Sequence, residues 1–369
     1  MAALLAMVAP LAGANAQSTS ADPKLEVVKT FEKFGLIGIA VSQHDRVFAS
    51  APAAVEGDKV VEIEPQTGKV KAFPGEDWRT AGPDGRDPWF APQALWVDSA
   101  DHLWVLDSGR PTFPTTAPTG APKLVQFNLS TNKVIRVFRF DGVVAKDDSL
   151  NDVRVDLRRK QAFIANIGRQ GSLIVLDLET GRSRQVLVGH RSTRADPKHR
   201  FMLLGEPAVP PGGVQMIVHA DGITLSPDGE WLYYRTLTDR NYWRIRVDAL
   251  VNDTLSEKAL ADQVEFLGEG PVTGGIIMDD AGTLYGGDLE NGPVVAMTLD
   301  PATSKLISRT FIEAPRTLAW ADGFAIANGY LYIADSRLSE TVFVNHLPRR
   351  GVPTIFRVRL PAVSERPAQ

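Results

Sequence analysis

A recurring hairpin pattern constrains this chain more than any other feature of its sequence. In LNDVRVDLRRKQAFIANIG, Leu150 to Gly168, the apolar Val153, Val155 and Leu157 alternate with Arg154, Asp156 and Arg158, the period-two signature of a half-buried strand. Ala162 to Ala165 then reads as a second strand returning past Arg159-Lys160. The same form occurs in GIAVSQHDRVFASAP from Gly38, ALWVDSADHLWVLDSG from Ala94, GITLSPDGEWLYYRTL from Gly222, GIIMDDAGTLYGGDLENG from Gly275 and GFAIANGYLYIADSR from Gly323. Asp-Gly, Asp-Ala-Gly and Asn-Gly at the turns supply the positive φ of tight hairpins. A second hairpin follows each copy, as in VVEIEPQTGKVKAF and SLIVLDLETGRSRQVLV. The unit is therefore four antiparallel strands, repeated about six times at intervals of roughly 50–70 residues. Such units are the blades of a propeller. The expected fold is all-β: a six-bladed β-propeller with four antiparallel strands per blade, little helix, and a single domain over residues 17–369. TIFRVRL supplies one late strand, while LEVVKTFEKF from Leu25 has no unit of its own. The latter is expected to complete the last blade and close the ring.

Composition narrows the function. Of 369 residues, 44% are hydrophobic, and the formal net charge is −4, so a large core is available and nothing marks a nucleic-acid binder. The densest basic run, Gly189 to Arg200, holds no aromatic residue for base stacking and reads as a solvated loop. The absence of cysteine excludes disulfides, cysteine-based metal sites and thiol catalysis. MAALLAMVAPLAGANAQ has a short apolar run ending in Ala14-Asn15-Ala16, the pattern of a cleaved secretory signal over residues 1–16, although no Lys or Arg precedes the run. Secretion or a periplasmic location is expected. No segment reads as a membrane span. The proline-rich Pro111–Pro122 and the long Gly189–Gly213 connection are loops, the latter placed to cover a site.

The repeat geometry says where polar residues meet. Residues before a blade's innermost strand and after its second strand lie on the same face of the disc. Asn151-Asp152 stands there, as do Gln93, His219 with Asp221, Thr273, and Asp322 after Trp320; the return strands add Asp107, Asn166, Asp288 and Asp335. Convergent polar groups at a channel mouth make a small-molecule site. Individually, Asp and Asn at strand ends also serve to bind loop amides. Asp98, Asp228 and Asp279 belong to the opposite, hairpin face. Trp78, Trp89 and Phe90 are candidates for an aromatic pocket; Trp96, Trp104 and Trp231 read as core. No nucleophile elbow, HExxH, phosphate loop or dinucleotide fingerprint is present. The catalytic candidates are His219, Asp221 and Asp152, with His219 as a general base. Asp152 and Asp221, in the same register on consecutive units, are expected to face one ligand or cation and to raise each other's pKa.

LNDVRVD, HADGITLSPDGEWLYY, GGIIMDDAGTLYGGDLENGPV and WADGFAIANGYLYIADSRL, in that order, resemble the yellow / major royal jelly protein family in a bacterial-looking form. The resemblance covers the chain from about Leu25. It implies a six-bladed, usually secreted propeller; insect members bind small aromatic amines or are linked to dopachrome conversion, and some have no known enzyme activity. It also implies an aromatic-amine pocket built partly from Trp320 to Phe343, with Asp322, Gly323, Ser336 and Phe343 as the positions to watch. The cysteines of many insect members are missing, so oligomeric state does not carry over. A second resemblance is to gluconolactonase and strictosidine-synthase-like propellers, whose lactonases hold a divalent cation with one Glu, two Asn and one Asp. The corresponding positions are Gln93, Asn151, Asp221 and Gly274. Asn151 and Asp221 fit a weak Ca²⁺ site; Gln93 replaces the acid and Gly274 offers no side chain. Asp152 and Asp322 are candidates for a different, weaker Ca²⁺ site.

Overall fold

The alternating segments form six four-stranded antiparallel sheets. The computed structural model describes residues 24–361 apart from 53–56, 65, 81–87, 111–119, 204, 210–212, 314–316 and 341–350. The expected leader over 1–16 and the candidate Phe343 therefore lie outside the described residues. The innermost strands of blades 1 to 6 are Ile39–Val41, Pro92–Val97, Leu150–Asp156, Ala220–Leu225, Ile276–Met278 and Ala321–Ala327. Each touches the next, and the first touches the last, so they ring a central axis. Blade 6 is completed by Glu26–Thr30, which pairs with Thr354–Arg359. The closure expected for LEVVKTFEKF is thus present. Among the described residues helix is confined to short pieces, of which Val247–Val251 and Glu257–Ala261 are α-helical.

The apolar faces explain why the sheets stand side by side. Every adjacent pair of blades shares a buried cluster: Phe48, Leu103 and Phe127 between blades 1 and 2; Trp104, Phe138 and Ile164 between 2 and 3; Phe163, Tyr234 and Trp243 between 3 and 4. Tyr242, Leu284 and Met297 lie between 4 and 5, Tyr285, Phe324 and Leu331 between 5 and 6, and Tyr332, Ile355 and Val61 close the circle. Burial of this kind contributes roughly 25 cal/mol per Å² of apolar surface. Trp104 is core as expected, whereas Trp231 is only partly buried, sandwiched by Arg244 at 3.9 Å and Arg246 at 4.4 Å.

Hairpin-face acids hold turns. Asp98 accepts from the amides of Ala100 and His102 and from the Trp104 indole; Asp279 accepts from Ala281, Thr283 and the Tyr285 hydroxyl. Asn328 and Gly329 at φ 50° and 77° form the Asn-Gly turn of blade 6 that the sequence calls for.

At the other face, blades pack backbone to backbone where the inner strands begin. A Cβ added at Gly38 would lie 2.5 Å from the Gln93 carbonyl, one at Gly222 2.3 Å from that of Gly274, and one at Gly323 2.5 Å from that of Ile37. Glycine at these strand starts permits an approach that any side chain would block.

Candidate functional site

Four of the six inner strands carry a β-bulge at their first residues. The register slips between Pro92 and Ala94, Leu150 and Val153, Ala220 and Ile223, and Ala321 and Gly323. A bulge inserts one residue against the partner strand and re-aims the side chains beside it. The residues inside these slips include Gln93, Asn151-Asp152, Asp221 and Asp322. This is why an Asn-Asp pair can head a strand: the bulge suspends the alternation and the strand starts turn their polar side chains toward the axis.

Gln93, Asn151, Asp152 and Asp322 line a cavity of about 40 Å³ together with Arg154 and Gly275, among others, whereas Asp221 is not part of its lining. Gln93 Nε2 donates to Asn151 Oδ1 at 3.0 Å. Asp152 Oδ1 accepts from Arg154 at 2.8 Å and from the Val153 amide at 3.1 Å, while its Oδ2 takes the Ile223 amide of blade 4 at 3.3 Å. Asp322 Oδ1 accepts from the Gly275 amide at 2.5 Å. Asp221 is 2% exposed, and its Oδ1 is buried with no hydrogen-bond partner among the described residues.

All three carboxyls are pushed above the ordinary carboxylate value. For Asp221 burial is the largest cause, followed by repulsion from Asp322 and then Asp152, against which Arg235 and Asn151 pull down; the result is well above the usual range. Burial also leads for Asp152, opposed mainly by Arg154, and for Asp322, opposed by the Gly275 amide and Trp320. The mouth is thus a place where negative charge is costly and a cation or a donated proton is favourable.

Two arginines shape it, and neither stood among the sequence candidates. Arg154 reaches from blade 3 across the axis: its guanidinium lies 4.7 Å from the Trp96 ring of blade 2 and donates at 2.9 Å to the Ile276 carbonyl of blade 5. It forms a floor beneath the carboxylates. Arg235 is fully buried, held by the carbonyls of Thr236, Pro271, Leu237 and Asp239 and by the Tyr242 and Thr273 hydroxyls. Its field reaches Asp221. A charged residue inside the apolar run YYRTL was the available signal.

Several expected mouth residues are placed elsewhere. His219 does not join Asp221. Its Nδ1 accepts from the Ala195 amide at 3.2 Å, and burial with the neighbouring Arg194 holds its pKa below the ordinary value. It fastens the long connection rather than serving the carboxylates. Thr273 is fully buried in the Arg235–Tyr242 network. Asp335 is fully buried, its Oδ1 accepting from the amides of Ala319 and Trp320 at 3.1 and 2.7 Å and its Oδ2 from Arg337. Ser336 donates its amide to the Trp320 carbonyl. Asp107 and Asn166 hold the loops before blades 2 and 3 through the same kind of amide bonds. Trp320 belongs to a buried cluster with Phe201, Leu203, Leu237, Val272 and Leu289. Phe201, Leu203 and Ala208 of the 189–213 connection thus pack against residues of blades 4 to 6, Trp320 among them. Trp78 and Trp89 pack against each other, tilted by 31° with centroids 4.4 Å apart, beside a separate crevice of about 130 Å³ lined by outer strands of blade 1 and the connection to blade 2.

Comparison with known proteins adds relatives at two levels. A family model described as Major royal jelly protein matches residues 91–360. Major royal jelly protein 1 of Apis mellifera is 24% identical over 223 residues, covering 56% of this chain and 48% of the relative, so the match spans about half the length of that protein. Among solved structures, a gluconolactonase from Xanthomonas campestris shares 14% identity with a TM-score of 0.54, covering 92% of this chain and 90% of that one. Regucalcin, a calcium-binding protein from Agrobacterium tumefaciens, shares 13% identity with a TM-score of 0.54 over 92% and 96% of the two chains. These structures share the fold.

Proposed function

Because the chain belongs to the major royal jelly protein family, we propose that it is an exported propeller that binds a small aromatic amine by its positive head at the channel mouth. One observation carries the reading: Asp152 of blade 3 and Asp322 of blade 6 line one cavity beside the inner strands, and the buried Asp221 of blade 4 feels the charge of both. An ammonium in that cavity supplies the positive charge that the carboxyls lack. The cavity of about 40 Å³ takes the head and leaves the ring outside it, since a cavity holding a whole drug-sized ligand measures roughly 300 Å³ or more. The raised carboxyl pKa values also suit proton transfer of the kind a dopachrome-type tautomerisation uses. Calorimetric titration with 2-phenylethylamine, alongside a dopachrome conversion assay, tests the proposal. Saturable amine binding abolished in Asp221→Asn supports it, and no binding of any aromatic amine by the intact protein refutes it.

A divalent-metal lactonase is the second reading, motivated by Asn151 and Asp221 in the expected register. The donor set fits it poorly. Among the described residues no group of three His, Cys, Asp or Glu side chains is placed to share a metal ion, and Ca²⁺ asks for six to eight oxygens. Stoichiometric metal in the purified protein together with chelator-sensitive lactone hydrolysis would reverse the order of the two readings.

A further inference from the structure

The long connection from blade 3 to blade 4 has two sides, and the fold uses one of them. Its seats lie at one end of the disc. The Gly189 amide donates to the Gly171 carbonyl, the Asp196 amide to Asp239 Oδ2 at 2.9 Å, the Met202 amide to Glu290 Oε1 at 3.0 Å and the Val218 amide to Thr238 Oγ1 at 2.9 Å. Gly171, Thr238, Asp239 and Glu290 each stand between the second and third strands of their blades. That is the end at which the inner strands begin, so the connection lies on the mouth face. Phe201, Leu203, Ala208 and Met216 form its inner side, buried with Trp320.

The outer side has a different composition. Arg191, Arg194, Lys198 and Arg200 are exposed, and none of the four is in an ion pair among the described residues. Arg191 lies over the Trp243 ring at 4.7 Å, a contact that leaves its charge in place. Residues 188–217 contain only two acids, Asp196 and Glu206, in a chain whose formal net charge is −4. Of the ten large apolar side chains exposed among the described residues, four belong to this short stretch: Val188, Val209, Val214 and Ile217, with Val214 at 76%. One exposed valine is ordinary on any surface. Four of them interleaved with four unpaired cations, on a segment held down from beneath, are not accounted for by folding.

We propose that this outer side is a docking surface for an anionic lipid bilayer, which sets the mouth face of the propeller against the membrane. The cations meet headgroup phosphates, and the apolar side chains enter the boundary between headgroups and acyl chains. Four cations reach the size of cluster that binds acidic lipid. The hydrogen bonds and apolar seats beneath the segment order it in advance, so docking costs little conformational entropy. Nucleic acid fits less well. Phe201, the sole aromatic residue of the stretch, is buried, so no exposed ring is there for bases to stack on, and a phosphate backbone has no use for the four apolar side chains. A second copy seated face to face would set like charges against each other.

The experiment is co-sedimentation of the full chain with vesicles of phosphatidylcholine alone and of equimolar phosphatidylcholine and phosphatidylglycerol, with polyphosphate as a soluble polyanion. Two variants accompany the parent. One combines Arg191→Gln, Arg194→Gln, Lys198→Gln and Arg200→Gln; the other combines Val188→Ser, Val214→Ser and Ile217→Ser. All seven positions are exposed, so both variants should melt with the parent. The parent should bind the mixed vesicles, ignore phosphatidylcholine and be released by salt. Each cation is worth about fivefold, so the first variant should lose more than about a hundredfold. The second should lose at least about threefold on vesicles and keep the parent's affinity for polyphosphate. Failure of the parent to bind the mixed vesicles, or equal binding to both kinds, overturns the proposal without any variant and leaves the amine reading untouched. Parental binding by the first variant overturns it as well. Vesicle binding that is indifferent to the serine substitutions, alongside tight polyphosphate binding, would assign the surface to soluble polyanions and overturn the membrane proposal.

Discussion

Asp221 is the residue on which the electrostatics of the mouth converge. Its pKa is raised well above the model-peptide value, first by burial and then by Asp322 and Asp152, so the folded state holds its proton more tightly than the unfolded chain does. A group of this kind contributes stability that is fully present below the unfolded value, about 4, and is lost as pH rises through the folded value. Surface acids such as Asp177 and Asp300 have lowered pKa values and act with the opposite sign, so the difference between proteins is the informative quantity. In ligand-free protein, Asp221→Asn should gain stability relative to the parent as pH climbs from about 4 toward neutrality; denaturant midpoints at several pH values read this directly, and a difference independent of pH would be contrary to it. Asp335 is the contrasting case. It looks equivalent in sequence, yet its oxygens are spent on the Ala319 and Trp320 amides and on Arg337. Asp335→Asn should cost about 1.5–3 kcal/mol of stability, the range for bonds to a charged group, and leave amine affinity unchanged. Sequence position distinguishes neither Asp221 from Asp335 nor Asp322 from His219. It says that a residue flanks an inner strand; whether the side chain turns to the axis or to a loop amide is decided by the local backbone.

At the scale of elements, the deciding feature is the bulge at the head of each inner strand of blades 2, 3, 4 and 6. The hairpins, their turns and the blade count were legible because strand alternation and turn chemistry are local. The bulge was visible only as a disturbance, Asn151-Asp152 where an apolar residue was due, and its consequence depends on pairing with a return strand. Arg154 illustrates the limit. It sits at a polar position of an alternating strand, but that its guanidinium crosses to Trp96 and Ile276 follows from ring closure rather than from spacing. The 189–213 connection was expected to cover a site, and its Phe201 lies 6.2 Å from the Trp320 ring in an edge-on arrangement. Trp320 in turn lies close enough to Asp322 to pull its pKa down. Phe201→Ala should remove about 3–5 kcal/mol and open the connection to protease before the blades are cut. It should also weaken amine binding, since the support of Asp322 is loosened. Cleavage that begins within the blades would mean that the connection is not held by this contact.

For the molecule as a whole, the question is what keeps an open row of blades a closed ring. The outermost strand of blade 6 comes from the beginning of the described chain, and its partner from the end: Glu26 pairs with Arg357 and Thr30 with Thr354. The Glu26–Arg357 ion pair at 2.9 Å is about two-fifths exposed on both sides and contributes little. The apolar contribution is larger. Phe31 and Leu36, 6% and 1% exposed, pack in the cluster that joins blade 6 to blade 1 with Ile355, Tyr332 and Val61. Deleting the segment through Phe31 would leave Thr354–Arg359 as a bare sheet edge, the kind of edge that recruits another chain, and would open the cluster at the junction of the first and last blades. Such a shortened protein should unfold at lower temperature and run as larger species than the parent in size-exclusion chromatography. A synthetic peptide spanning LEVVKTFEKF, added in trans, should restore the parental oligomeric state and part of the lost stability by adding back the missing strand. Rescue by the parent sequence but not by a peptide carrying Phe31→Ala would assign closure to apolar packing rather than to backbone pairing alone. A shortened chain that keeps the parental size and stability would show that the inner-strand ring, not this last strand, holds the propeller shut.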